Sequence, residues 1–343
     1  MQAIEWNKLG FNYMDTHSHI RYVWRNGAWD QGALVPEPWL KMHIAASCLH
    51  YGQAAFEGLK VFGCRDGRVR AFRPEANAER MIRTAKRVCM APLTVPLFME
   101  ALRRVVQANR DFIPPYGTGG SLYVRPLLIG TGPQIGVAPA DEYTFLIMVM
   151  PVGPYYKGGL KPVRAVILDD YDRAAPLGVG DVKVAGNYAA SLYAHEKAKH
   201  DGFPVELYLD ARTHTYVEEF ATSNFFAITK DGRYVTPDSP SILPSVTNDT
   251  LKQVAADLGM PVETRHIPFD ELETFAEIGA CGTAVVVTPV NEIVRGNKVI
   301  KVGNGDDACG PVLQKLYNTV QGIQYGVLPD THGWCVDLDA NIN

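Results

Sequence analysis

The stretch Gly178-Val-Gly-Asp-Val-Lys183-Val-Ala-Gly186-Asn-Tyr188 combines residue types and spacing that can do chemistry. Lys183 stands between Val182 and Val184, so in an extended run it faces away from both valines, and glycines on either side let backbone or a ligand come close. A confined lysine has a lowered pKa, and such an amine forms Schiff bases with carbonyl compounds, pyridoxal phosphate among them. The plain alternative is a surface lysine with its ammonium in water, as most lysines are. The motif alone leaves both open.

A second candidate is Glu218-Glu219-Phe-Ala-Thr222-Ser-Asn224, just before an apolar strand. A pyridoxal cofactor needs a carboxylate beside its ring nitrogen, and Glu219 is suited to that; a solvated pair of glutamates in a turn is the competing reading. A phosphate also needs a cradle. Leu243-Pro-Ser-Val246-Thr247 leads into a helix carrying Leu251, Val254, Ala255 and Leu258, whose first N–H groups can hold a dianion. Gly282-Thr283-Ala284, read as following a helix, is a similar donor-rich turn.

The elements that must position these groups follow from periodicity. Tyr22 to Trp24, Asn26-Gly27 and Ala28-Trp29 read as a hairpin with a type I′ turn, and Gly58 to Phe62 as a second strand. Pro74 opens a helix with Met81, Ile82, Ala85, Val88 and Cys89 on one stripe, and Phe98, Ala101, Leu102, Val105 and Val106 repeat the pattern. Ser121 to Ile129 and Tyr143 to Met150 are extended, the latter apolar on both faces and so central in its sheet. This first half reads as an α+β unit. The Pro- and Gly-rich stretch from 151 to 162 reads as a linker or active-site loop. Beyond it, strands at Arg164–Leu168, Val205–Leu209, Asn224–Ile228 and Ala284–Val287 alternate with helices at 187–201, 247–258 and 311–324. The expected division is therefore 1–152, an interdomain loop at 153–163, and 164–343, in line with the roughly 150 residues of a typical domain.

Composition excludes several classes. With 33 Lys+Arg against 37 Asp+Glu the net charge is −4, without the basic excess that nucleic acid demands. The longest uncharged apolar run, Tyr143 to Tyr156, is broken by prolines and falls short of the ~20 residues of a bilayer span, and no apolar leader opens the chain. A soluble, cytoplasmic protein is expected. The six cysteines form no C-x-x-C pair, His17 and His19 lack a third ligand, and no metal is expected. The sequon at Asn248 has no secretory context. Gly130-Thr-Gly132-Pro-Gln-Ile-Gly136 has the wrong spacing for a dinucleotide fingerprint, which disfavours a nicotinamide oxidoreductase.

Taken with Leu49-His-Tyr51-Gly-Gln-Ala-Ala-Phe56-Glu-Gly-Leu-Lys60, Phe72-Arg-Pro with Asn77 and Arg80, Ser121-Leu-Tyr123-Val-Arg125-Pro and Cys281-Gly-Thr283-Ala284, the lysine motif resembles the branched-chain-amino-acid aminotransferases, over about residues 9 to 334. The resemblance implies the two-domain pyridoxal-phosphate fold type IV, like that of D-amino-acid aminotransferase: a smaller N-terminal α+β domain, a larger C-terminal domain, and cofactor at their junction, in a homodimer. It makes Lys183 the Schiff-base lysine, Tyr188 the partner of the phenolic oxygen, and Glu219, rather than Glu218, the carboxylate on the pyridine nitrogen. Arg80, Val246, Thr247 and Thr283 fall on phosphate positions. Tyr13, Tyr51, Phe56, Tyr123, Arg125, Thr222 and Ala284 fall on substrate positions. The implied reaction transfers the amino group of L-leucine, L-isoleucine or L-valine to 2-oxoglutarate, with ping-pong kinetics. A lyase on the same fold is the nearest competitor, and a binding protein would be expected to have lost the lysine or the carboxylate. Ala221 and Ser245 depart from the family, standing where many relatives have glycine.

Overall fold

The computed structural model describes residues 4–154, 159–303 and 308–339. Two compact units divide the chain: 4–154, 182–186 and 322–339 form the first, and 159–181, 187–303 and 308–321 the second. The sequence reading places one boundary at 153–163, of which 155–158 lie outside the described residues. Instead the chain re-enters the first unit twice, because Val184 bridges Ala55 and Cys335–Asp337 pairs with Phe72–Arg70.

In the first unit the strands are β1 (His19–Arg25), β2 (Ala28–Trp29), β3 (Ala33–Val35), β4 (Ala54–Phe56), β5 (Leu59–Gly63), β6 (Val69–Phe72), β7 (Ser121–Gly130) and β8 (Tyr143–Val152). They run in the order β6-β5-β7-β8-β1-β2, with β3 beside β1 and β4 beside β7. Trp24 pairs with Trp29 across a two-residue turn in which Asn26 and Gly27 have φ of 51° and 81°, the type I′ geometry that Asn-Gly favours. β8 lies between β7 and β1, central in its sheet, as expected from its apolar side chains on both faces. Short α1 (Ser47–Tyr51) precedes β4; α2 (Pro74–Arg87) starts on its proline, and α3 (Val95–Ala108) is capped by Thr94, which accepts from the Leu97 N–H. Their stripes, Met81 and Ala85 on α2 and Phe98, Leu102 and Val105 on α3, are buried against Ile20, Leu59, Val124, Phe145 and Ile147. Each such side chain removed from water contributes about 1.5–3 kcal/mol, so the sheet bearing Tyr123 and Arg125 is backed by a firm core.

In the second unit β9 (Val163–Ile167) follows the loop, α4 (Ala185–His200) separates it from β10 (Val205–Leu209), and β11 (Val217–Phe220), β12 (Ser223–Ile228) and β13 (Tyr234–Pro237) come next. Then follow α5 (Val246–Asp257), β14 (Val262–Arg265), β15 (Glu277–Gly282), β16 (Val286–Arg295), β17 (Lys298–Lys301) and α6 (Pro311–Gln324), and β18 (Cys335–Asp337) returns to β6. The sheet order is β11-β10-β9-β16-β15-β12-β13-β14, with β17 on β16; because β11 also pairs with β12, the run from β11 to β12 closes on itself and its strands have both edges paired. Two sequence expectations need correction. Ala284 belongs to a turn and the strand begins at Val286; and Gly282 ends a strand, β15, rather than following a helix. The apolar run Ile278 to Cys281 is short enough to fit either element, and periodicity cannot arbitrate there.

Candidate active site

Lys183 lies two residues before α4, outside any strand and next to the single bridge of Val184 to Ala55, although Val182 and Val184 are both buried as the alternation requires. Its backbone is pinned on both sides: its N–H donates to Thr84 Oγ1 at 3.0 Å and its carbonyl accepts from the Phe56 N–H at 3.2 Å. Nζ sits 4.8 Å from the Phe56 ring centroid. Desolvation, aided by the Arg80 charge, pulls the amine down to about 8 against the opposing pull of Glu57. A substantial fraction of it is therefore neutral near physiological pH.

Around that amine the first unit builds a buried ion pair. Glu57 has no solvent exposure; it accepts from Arg80 Nε at 2.7 Å and Nη2 at 2.9 Å, and from Asn77 Nδ2 at 2.9 Å. Burial would raise the Glu57 carboxyl, but the Arg80 guanidinium together with the Lys183 charge and the Asn77 hydrogen bond outweighs it and holds the group below the usual carboxylate range. On β7, Tyr123 and Arg125 share a face as their spacing predicts, and Arg125 Nη2 donates to the Tyr123 phenol at 2.8 Å. The Arg125 guanidinium carbon lies 5.0 Å from the same Phe56 ring, while its Nε is buried without a partner. A cation with an unmatched buried donor suits an anion. Gly58 makes room for this cluster, since a Cβ there would collide with the Tyr123 hydroxyl.

Two sequence-chosen substrate residues lie elsewhere in the first unit. Tyr13 is 61% exposed and donates to Asp15 at 2.9 Å, beside a cavity of about 540 Å³ lined by Trp39, Leu146 and Met148. Tyr51 is exposed and spends its hydroxyl on the Ile135 carbonyl. Phe11, which sequence reasoning passed over, packs edge-on against Tyr123 at 4.8 Å.

In the second unit Glu219, on β11 opposite Asn224 of β12, is 3% exposed. It accepts from the Leu243 N–H at 2.9 Å and from Asn224 Nδ2 at 3.3 Å, and pairs with Arg173 Nη2 at 2.9 Å. Glu218 is equally buried rather than solvated, accepting from the Ser239 and Ser241 hydroxyls. Thr222 occupies the β11–β12 turn and Tyr188 the first turn of α4. Val246 and Thr247 are the first two residues of α5, whose amides the helix ladder does not use, and Ser245 caps it by accepting from the Asn248 N–H at 3.1 Å. Thr283 and Ala284 form the β15–β16 turn, which ends at Val286 with φ 64°, a conformation costly for a β-branched residue and held by the flanking ladder. Ser245 has φ −93° and Ala221 is not among the positive-φ residues, so neither position requires glycine.

Each unit by itself carries groups of a matching chemistry: the first a desolvated amine suited to an aldehyde, the second a buried carboxylate suited to a protonated ring nitrogen and a helix start suited to a phosphate. Glu57, Asn77, Thr84 and Arg173 were missed as positioning groups; the signal for Glu57 was a carboxylate directly after the apolar run Ala54-Ala-Phe56.

Residues 54–293 match the model of the family described as Amino-transferase class IV, and the chain belongs to that family. It is 47% identical to the branched-chain-amino-acid aminotransferase of Haemophilus influenzae, over 99% of this chain and 100% of the relative, and 43% identical to that of Helicobacter pylori over 98% and 99%. Among solved structures, the branched-chain amino acid aminotransferase of Escherichia coli superposes with TM-score 0.76 at 28% identity, covering 93% of this chain and 99% of that one. The branched-chain aminotransferase of the thermophilic archaeon Thermoproteus uzoniensis, solved with norvaline, gives 0.77 at 27%, covering 93% and 99%. The fold is the two-domain fold type IV, and the activity is transamination of branched-chain amino acids. Among the described residues no helix is long and apolar enough to cross a membrane.

Proposed function

We propose that the chain works with pyridoxal 5'-phosphate bonded to Lys183, exchanging the amino group of L-leucine, L-isoleucine or L-valine with 2-oxoglutarate and L-glutamate. The observation that carries this is the pinned, desolvated Lys183 amine at about 8. Pyridoxal phosphate, when bound, supplies an aldehyde that condenses with amines and a ring that takes up electrons. Lys183, once displaced by the incoming amine, is the base that takes the α-proton and returns it at the cofactor carbon; an amine near neutrality is suited to both directions. Glu219, anionic among its donors, holds the proton on the ring nitrogen, with Tyr188 on the phenolic oxygen. Arg80 and the Val246, Thr247 and Thr283 amides hold the phosphate. Phe56 and Tyr123 present an apolar wall, and Arg125 binds the distal carboxylate of glutamate; Thr222 and Ala284 receive the α-carboxylate side. A solved relative with pyridoxamine 5'-phosphate supports the choice of cofactor, and one complexed with N-(5'-phosphopyridoxyl)-L-glutamate supports the glutamate half-reaction.

Two copies of the chain form the working unit, a reading supported by exposed apolar side chains on the first unit such as Trp39 and Ile44. The six cysteines are all free thiols, which suits the reducing cytoplasm. The test is spectroscopic: L-leucine should bleach the visible band of the purified protein and 2-oxoglutarate should restore it. No visible band after pyridoxal phosphate is supplied would overturn the reading.

A further inference from the structure

Glu218 and Glu219 are consecutive on β11, so their side chains leave opposite faces, yet both end on the same short segment, residues 239–243. Glu218 takes the Ser239 hydroxyl at 2.6 Å and the Ser241 hydroxyl, and these two hydroxyls lie 3.0 Å apart. Glu219 takes the Leu243 N–H at 2.9 Å. Arg173 joins the two sides: its Nη2 donates to the Ser241 carbonyl and to the Gly180 carbonyl at 3.0 Å, and pairs with Glu219 Oε1 at 2.9 Å. Ser241 therefore uses its hydroxyl on one glutamate and its carbonyl on the arginine that holds the other.

There is no slack in this arrangement. Arg173 is 8% exposed and its Nε is buried without a partner, and among the described residues its hydrogen bonds and ion pair run through Nη2. A Cβ on Gly180 would collide with the Ser241 carbonyl and lie 2.7 Å from Nη2, so only glycine admits the contact. Two residues beyond Leu243, the same segment delivers Ser245, the cap of α5.

We infer that Glu218 is a positioning residue: it fixes Ser241, Ser241 fixes Arg173, and Arg173 fixes the Glu219 carboxylate. This rests on the reading that Glu219 faces the cofactor's ring nitrogen. Glu218 touches no reacting atom, so its removal acts only through the segment it ties down. A buried carboxylate with two hydroxyl donors is an expensive way to fill space, and replacing it leaves the two hydroxyls only each other and one of their protons without an acceptor.

The test is a double-mutant cycle on the pyridoxal phosphate dissociation constant, measured spectroscopically well below the melting temperature. Glu218→Leu should raise that constant about tenfold, the effect of one charge-assisted hydrogen bond lost downstream, and should shift the pH titration of the bound cofactor's absorbance. In an Arg173→Lys background the same change should cost less than about twofold, because the relay is already broken. Glu218→Gln, which keeps an acceptor oxygen, should restore the constant to within about threefold. Ser241→Ala removes one hydroxyl and little else; it should show the same dependence on Arg173 and serves should the leucine variant not fold. Equal losses in both backgrounds would overturn the relay, as would a lowered melting temperature with unchanged affinity and titration. A wild-type protein that binds no pyridoxal phosphate would overturn the underlying reading instead, and the inference with it.

Discussion

Arg125 Nη2 donates to the Tyr123 phenol at 2.8 Å, so the cation and the hydroxyl on that face of β7 act as one unit. A guanidinium beside an aromatic wall gains nothing from an isobutyl chain, but the distal carboxylate of glutamate or 2-oxoglutarate accepts a charge-assisted pair worth about 1.5–3 kcal/mol. Arg125→Met should slow the glutamate half-reaction roughly tenfold to a hundredfold and leave the leucine half-reaction within a few-fold. Single-turnover rates measured separately with L-leucine and L-glutamate decide this. Equal losses, accompanied by a lower melting temperature, would make Arg125 a purely structural cation.

Two lysines of the first unit are depressed to about 8, Lys183 and the half-buried Lys60, the latter by desolvation alone. Low basicity therefore does not select between them; geometry does. Lys183 has its backbone pinned by Thr84 and Phe56 and its Nζ over the Phe56 ring, whereas Lys60 lies within β5 opposite Tyr123. Borohydride reduction of the cofactor-loaded protein followed by peptide mapping should place the label on Lys183. Without cofactor, the pH dependence of Lys183 modification should have its midpoint near 8 rather than near 10.5, the amine gaining reactivity as pH rises through that value. Label on Lys60 would remove Lys183 from its role.

What was legible in the sequence was whatever repeats or turns. The hairpin at Asn26-Gly27, the stripe of α3, the α2 stripe as far as Ala85 and the doubly apolar β8 stand where periodicity and turn chemistry put them, whereas Val88 and Cys89, read as part of the α2 stripe, lie beyond its end at Arg87, with Cys89 exposed at φ 53°. The shared face of Tyr123 and Arg125 is equally visible, because a strand alternates with period two. The neighbours that tune these groups were not. Thr84 meets Lys183 across 99 positions, Arg80 meets Glu57 across 23, and Ser241 meets Glu218 across 23. No local pattern encodes such pairings. Glu218 shows the cost most clearly, since consecutive glutamates look solvated until the strand carrying them is found to be paired on both sides.

Glu57 carries a prediction about stability and pH. Its pair with Arg80 is buried, and removing one member of such a pair leaves an uncompensated charge at a cost of about 3–5 kcal/mol. Glu57→Leu should therefore lower the stability of the first unit by that order, read by denaturant unfolding of the cofactor-free protein. The sign with pH follows from the depressed carboxyl. Its contribution is fully present above the carboxylate's unfolded value, near 4.5, and is lost as pH falls through the lower folded value. Wild-type stability should drop through that acid range, and Glu57→Leu should lack this component of the drop. A variant as stable as wild type, with the same acid profile, would show that the pair contributes nothing net.

Glu219→Gln separates binding from chemistry. The side chain keeps its volume, and its amide oxygen can still accept from the Leu243 N–H and Arg173, so the β11–β12 hairpin and the segment at 243 should hold. Attachment through Lys183 and the phosphate donors is untouched, and the bound cofactor content should stay near that of wild type. In the role proposed for Glu219, what is lost is the negative charge that would keep a proton on the ring nitrogen, and with it the capacity of the ring to take up electrons as the α-proton leaves. Stabilisation of developing charge in a buried site is typically worth about 10²–10³ in rate, so both half-reactions should slow by that order. The two must slow together, since leucine and glutamate share the proton-transfer step; this distinguishes Glu219 from Arg125, whose loss should touch only one. Single-turnover rates with each amino acid, set against the cofactor content measured by absorbance, give the answer. Wild-type rates in the variant would remove Glu219 from the ring nitrogen, and loss of cofactor with no change in rate per bound cofactor would make it a structural anchor.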